Sequence, residues 1–175
     1  MILCALKIGM GAFEFLSLSR GSPKSLFGTI KSRTVTRGPF GDALSHFVFV
    51  RFGIGVFDPE WLRYRLDLFK AVTLPSIKAQ KNSSFRLIVQ VDEELPEPFS
   101  AELHGAIENL PYAQLDFLEL HSDRAESAKR IVHSESADIF IVTRIDDDDA
   151  ISATTLSALQ QAVRLALAQG LNTGA

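Results

Sequence analysis

The chain has one cysteine, Cys4, one tryptophan, Trp61, and no long uncharged run. A lone thiol excludes an internal disulfide and any thiolate-rich metal cluster, which leaves oxygen and nitrogen ligands for a bound metal. No segment approaches the roughly 18 uncharged residues that a membrane span requires. The apolar opening from Met1 to Leu18 is broken by Lys7 and Glu14, with no Ala-x-Ala cleavage site after it. Neither a transmembrane helix nor a secretory signal is therefore expected, and the location expected is cytoplasmic, with association to the inner face of the membrane left open. Positive charge is not in surplus either: 18 Lys and Arg stand against 21 Asp and Glu, a net charge of -3. With no basic patch in the folded part, nucleic acid is not an expected partner. His46, His104, His121 and His133 have no metal-ligand spacing and read as core or surface histidines. What the 175 residues do have is 46% apolar content, enough for one domain with a full-sized core.

Two regions differ in composition. Residues 1–44 are rich in Gly and Ser and carry Lys7, Arg20, Lys24, Lys31, Arg33 and Arg37 against Glu14 and Asp42. Poor periodicity and the turn formers Gly21, Pro23, Gly38 and Pro39 make this a poorly structured basic extension, or an arm that touches an anionic membrane or a partner. Residues 45–175 read as the folded unit. Strands are expected over His46 to Phe52, Phe85 to Asp92, Gln114 to Leu120 and Asp138 to Ile145. Asp58 suits a helix N-cap with Pro59 in the first turn, and Trp61, Tyr64, Leu68 and Val72 follow at helical spacing, the helix kinking or ending near Pro75. Trp61 and Phe69 read most simply as core. Further helices are expected over Ser100 to Leu110, Arg124 to Ser134 and Ser152 to Gln169. Four strand-helix units predict an α/β fold, an open, mostly parallel sheet with helices on both faces. Gly53-x-Gly55 after the first of these strands lacks the third glycine of a dinucleotide loop and reads as a turn.

The last strand ends in Arg144-Ile145-Asp146-Asp147-Asp148-Asp149. Ligands of open α/β sheets collect at the carboxyl ends of the strands. Adjacent carboxylates repel by roughly 1 kcal/mol per pair at 4 Å in water and about 4 at an effective dielectric near 20. A hard divalent cation, Mn²⁺ or Mg²⁺, relieves that repulsion and brings a phosphorylated ligand to complete its shell. If extended backbone continues, Asp146 and Asp148 face one way and Asp147 and Asp149 the other. Arg144 then shares the face of Asp146 and could contact a phosphate or a carboxylate. The competing reading is a helix cap in a solvated acidic turn, for which one or two Asp would suffice. Arg124, Lys129 and Arg130 read either as a diphosphate-binding cluster or as a solvated helix face.

Taken together, Arg51-Phe52-Gly53, the stretch from Trp61 to Phe69, Thr73-Leu74-Pro75-Ser76-Ile77-Lys78-Ala79-Gln80 and Thr143 to Ala150 resemble the rhamnosyltransferase family, whose members look like GT-A glycosyltransferases. The likeness runs over residues 45–169. It implies a nucleotide-sugar donor and a carbohydrate or glycan acceptor. Arg51, Asp92, Arg144 and Asp146 would bind the nucleotide-sugar, and Asp146, Asp148 and Asp149 would hold the metal in an Asp-x-Asp element. The resemblance also places the catalytic base and most of the acceptor-binding half beyond this stretch, so the GT-A-like domain is expected to be incomplete and the base absent. Two other readings stand beside it: a non-catalytic nucleotide-binding remnant or interaction protein, and a metal-dependent phosphoryl-transfer enzyme.

Overall fold

The computed structural model describes residues 2–7, 14–19, 44–82, 84–119, 124–134, 137 and 139–168, of which 2–7, 14–19, 124 and 125 are described by backbone alone. Arg20, Lys24, Lys31, Arg33 and Arg37 of the leader, His121, Asp138 and residues 169–175 lie outside the described residues. In chain order the elements are β1 (Ile2–Lys7), β2 (Glu14–Ser19), β3 (Leu44–Phe52), α1 (Pro59–Leu68), a π-helical turn (Phe69–Thr73), α2 (Leu74–Lys78), β4 (Arg86–Asp92), α3 (Glu97–Ile107), β5 (Ala113–Leu118), α4 (Arg124–His133), β6 (Ile139–Asp146) and α5 (Thr155–Ala168).

The strands form one sheet in the order β2-β1-β6-β3-β4-β5. All neighbours are parallel except β1 with β2. This is the α/β fold expected, and it is consistent with a GT-A-like domain. The leader, read as poorly structured, differs from that reading at two places: β1 lies along β6 from Ile2 opposite Ile139 to Lys7 opposite Arg144, and β2 pairs with β1. The physical reason is the open flank of β6, a row of backbone N–H and C=O groups that an apolar segment such as Ile2-Leu3-Cys4-Ala5-Leu6 can satisfy.

Helix α1 begins as its sequence dictates. Asp58 is extended, and its carboxylate accepts the Trp61 N–H at 2.7 Å, while Pro59 occupies the first turn. Pro75 sits in the first turn of α2, and the helix ends three residues later at Lys78, near where it is expected to end. The proline lacks an N–H for the carbonyl four residues back and its ring crowds that turn. The chain meets this with the π-helical turn, in which the Leu74 N–H reaches Phe69 O, and continues to Lys78.

Strand alternation divides the core by face. Val48, Val50, Phe52, Leu87, Val89 and Ile145 pack with Leu62, Leu66 and Phe69 of the α1 segment, with Leu103 of α3 and with Leu156 of α5. Phe47, Phe49, Ile88 and Phe140 pack on the opposite face with Val132 of α4. Burying each such large side chain stabilises by roughly 1.5–3 kcal/mol. Phe69 is core as expected, but Trp61 is 37% exposed, its ring lying beside the Arg65 guanidinium instead of among the core side chains.

Gly53 turns the chain out of β3 with φ +61°, and a Cβ there would stand 2.9 Å from Leu62 Cδ2. The Leu62 methyl can shift, whereas the left-handed backbone cannot be relieved. Gly53→Ala is therefore expected to cost about 1–2 kcal/mol in chemical denaturation; an unchanged midpoint would contradict the turn geometry.

Candidate functional site

Strand β3 leads through α1 to β4 on one side, and β6 returns on its other side, so the β3/β6 pair is the topological switch point where connections diverge. At its carboxyl end Arg51 stands opposite Asp146 in register. Arg51, Arg144 and Asp146 share the face covered by α4, and the Arg144 guanidinium lies 3.4 Å from Asp146 Oδ1. The row extends across the sheet, with Arg51 opposite Gln90 and Gln90 opposite Asp116. Gln90 Nε2 and Ser127 Oγ donate to Asp116 Oδ2 at 3.1 and 2.8 Å, and Arg130 lies 3.8 Å from Asp116 Oδ1. Gln90, Asp116 and Ser127 were not candidates in the sequence reading, although two polar residues at matching positions of apolar strands are a legible signal. Of the basic residues on α4, Arg130 serves this network and the exposed Lys129 pairs with Glu126 at 3.2 Å; the Arg124 side chain lies outside the described residues.

The acidic run does not follow strand alternation. The strand stops at Asp146, and the Asp149 N–H closes a turn on Asp146 O at 3.2 Å. Asp147 and Asp148 consequently both reach Arg65 of α1, Asp147 through Arg65 Nη2 and Asp148 through Nη1. The expectation that Asp146 and Asp148 look the same way gives way to a split in which Asp146 stays with Arg144 and its two successors turn toward α1. Asp147 is buried at 3% exposure, so it is no solvated cap. Burial works against the Arg65 charge, but hydrogen bonds to Asp147 and Asp148 outweigh it and raise the guanidinium's pKa. Asp147 is the more buried partner, so desolvation outweighs the attraction of Arg65 and its carboxyl lies above the usual range. Burial followed by repulsion from Asp148 and Asp146 also raises Asp149.

Among the described residues no three His, Cys, Asp or Glu side chains converge as a metal cage. The Asp146 and Asp148 side chains are 41% and 38% exposed, and a carboxylate engaged by one partner retains acceptor capacity. Asp147 Oδ2 is buried with no hydrogen-bond partner, an oxygen that a cation would satisfy. Carboxylate oxygens of this kind are the donor class that Mn²⁺ or Mg²⁺ prefers.

The segment from α1 to Gln80 braces this loop. In α2, Ser76 Oγ accepts the Ile151 N–H at 3.2 Å. Gln80 Oε1 accepts the Leu156 N–H at 3.1 Å while its Nε2 donates to Ser152 O at 2.8 Å, which caps the first turn of α5. Asp92, fully buried, accepts from Gly55 N at 3.1 Å and Glu94 N at 3.0 Å. It shapes the glycine turn beside Arg51 instead of opening a solvated charge run.

Residues 54–172 match a protein-family model described as "Putative rhamnosyl transferase". The match takes in α1 to α5 with the whole acidic turn, and begins just after β3 and Arg51. No curated protein matches the chain. Among the described residues no helix is long and apolar enough to cross a membrane.

Proposed function

The chain belongs to this rhamnosyl transferase family, a family of glycosyltransferases by its description, and from that premise we propose that the β3/β6 edge binds a nucleotide-sugar donor whose sugar passes to a carbohydrate acceptor. The observation that carries the reading is the pairing of Arg51 with Asp146 at the switch point, directly before the acidic turn. In open α/β sheets it is outside the strand ends at such a point that ligands bind.

In this reading Arg51 and the glycine turn held by Asp92 receive the nucleoside. Arg144 faces the diphosphate as a planar donor fork. Asp148 holds Mn²⁺ or Mg²⁺ at the rim, Asp146, beside Arg144, meets the ribose or the same ion from the other side of the split, and Asp149 supports them from the next position. The bound cation would supply Lewis-acid stabilisation of the charge that grows on the departing nucleoside diphosphate. The protein's own contribution is to keep the carboxylates in place before the donor arrives, since preorganised groups cost no rearrangement during reaction.

Thermal melting tests this. Mn²⁺ together with uridine, guanosine or deoxythymidine diphosphate is expected to raise Tm, by linkage to ligand binding, and Asp148→Ala is expected to abolish the rise. A rise of equal size in the variant would remove Asp148 from the site, and no rise with any of the diphosphates would count against a donor site here.

A further inference from the structure

We propose that Arg65 is a positioning residue for the donor: its guanidinium fork fixes the Asp147-Asp148 turn and so presents Asp148 to the metal and diphosphate. The inference rests on the reading of this edge as the donor site.

Its geometry has a buried half and an exposed half. Nη2 holds Asp147, whose side chain is 5% exposed, while Nη1 holds Asp148 at 38% exposure. The first contact anchors the turn inside the protein, and the second sets the direction of the carboxylate at the rim. Arg65 itself is 19% exposed, and its Cζ lies 5.5 Å from the ring centroid of Trp61, one helical turn earlier. Backed by that ring, the guanidinium has little freedom to follow Asp148 if it swings. A planar cation with two separate donor nitrogens can span two successive carboxylates, whereas the single ammonium of lysine is a point charge. The split of the acidic run described above is thus imposed from α1.

The experiment compares the wild-type 175-residue chain with Arg65→Gln, Arg65→Lys and the double variant Arg65→Gln/Asp147→Asn, using Mn²⁺ with the same diphosphates as probes. Calorimetry gives affinity and thermal melting gives stability. Trp61, the sole tryptophan, gives an independent emission change in the wild type because it backs Arg65. The double variant no longer buries an unpaired carboxylate, so it is expected to recover most of the stability lost in Arg65→Gln. Its affinity for Mn²⁺-diphosphate should nevertheless stay about tenfold or more below wild type, the usual scale for residues that orient metal ligands, and Arg65→Lys should be weakened similarly although its charge is kept. Binding within about twofold of wild type in the double variant or in Arg65→Lys would overturn the positioning role while leaving the donor site intact. Failure of the wild-type chain to bind any Mn²⁺-diphosphate would overturn both.

Discussion

Arg65→Ala is expected to lower folding stability by about 3 kcal/mol at pH 7, the low end of the range for breaking one side of a buried ion pair. The low end applies because Asp148 is exposed and can turn to water, so the cost falls on Asp147, which has nowhere to go. For a chain of this size the loss corresponds to roughly 6–12 °C in Tm. The deficit carries a pH signature. Without Arg65, the buried Asp147 carboxyl moves further above its unfolded value than it already lies. A raised folded-state pKa gives stability that is present below the unfolded pKa and lost as pH rises through the folded one. The variant should therefore be closest to wild type below the unfolded carboxyl pKa of about 3.9 and fall away as pH rises toward neutrality. Adding Asp147→Asn should remove that slope. A deficit under about 1 kcal/mol, or one independent of pH, would contradict the role given to the buried half of the fork.

The second large effect belongs to His46, far from the acidic turn. It is 2% exposed, with Nε2 2.8 Å from Thr143 Oγ1 and Nδ1 3.1 Å from Gln160 Nε2. Gln160 Nε2 also donates to Ser84 O, and its Oε1 accepts from Asn82. An amide nitrogen has only hydrogens to offer, so Nδ1 must accept and Nε2 must carry the ring proton. Protonating Nδ1 would set two donors against each other inside the core. Burial lowers the His46 pKa to about 4 from 6.5. The unfolded chain then binds more protons between those values, so stability is full above about pH 6.5 and declines as pH falls toward 4. The shift corresponds to about 3 kcal/mol. Denaturation of wild type and His46→Gln at several pH values isolates it, since the opposing influences of Asp147 and Asp149 are common to both proteins. The stability gap between them should narrow by about 3 kcal/mol from pH 6.5 to 4; a constant gap would mean that His46 does not titrate with unfolding.

Much of the fold was legible because its signals are local. Continuous apolar runs such as Phe47 to Val50 and Phe140 to Val142 mark strands buried on both faces, and Asp58-Pro59 marks the start of α1. The acidic run could be placed at a strand end for the same reason. Its geometry was not legible, because alternation was carried past Asp146 into residues that form a turn. No local pattern says that Arg65, eighty-odd positions earlier, will reach that turn. The Leu-Pro-Ser-Ile-x-x-Gln segment was visible as a resemblance, but the hydrogen bonds of Ser76 and Gln80 to the loop before α5 depend on tertiary packing. Asp92 looked like the head of a charged surface run because Glu93 and Glu94 follow it, yet backbone N–H groups claim both of its oxygens. For β1 the apolar residues were evident, whereas the partner that orders them, the open side of β6, lies more than a hundred residues away.

The most direct test of the account is isothermal titration of the 175-residue chain with uridine, guanosine and deoxythymidine diphosphates, each with and without Mn²⁺. One diphosphate should bind with unit stoichiometry only when Mn²⁺ is present, and Asp146→Asn/Asp148→Asn should eliminate the heat. Binding that is indifferent to Mn²⁺ and to the double substitution, or no binding of any of them, would contradict the claim that this strand edge holds a metal-bound nucleotide donor.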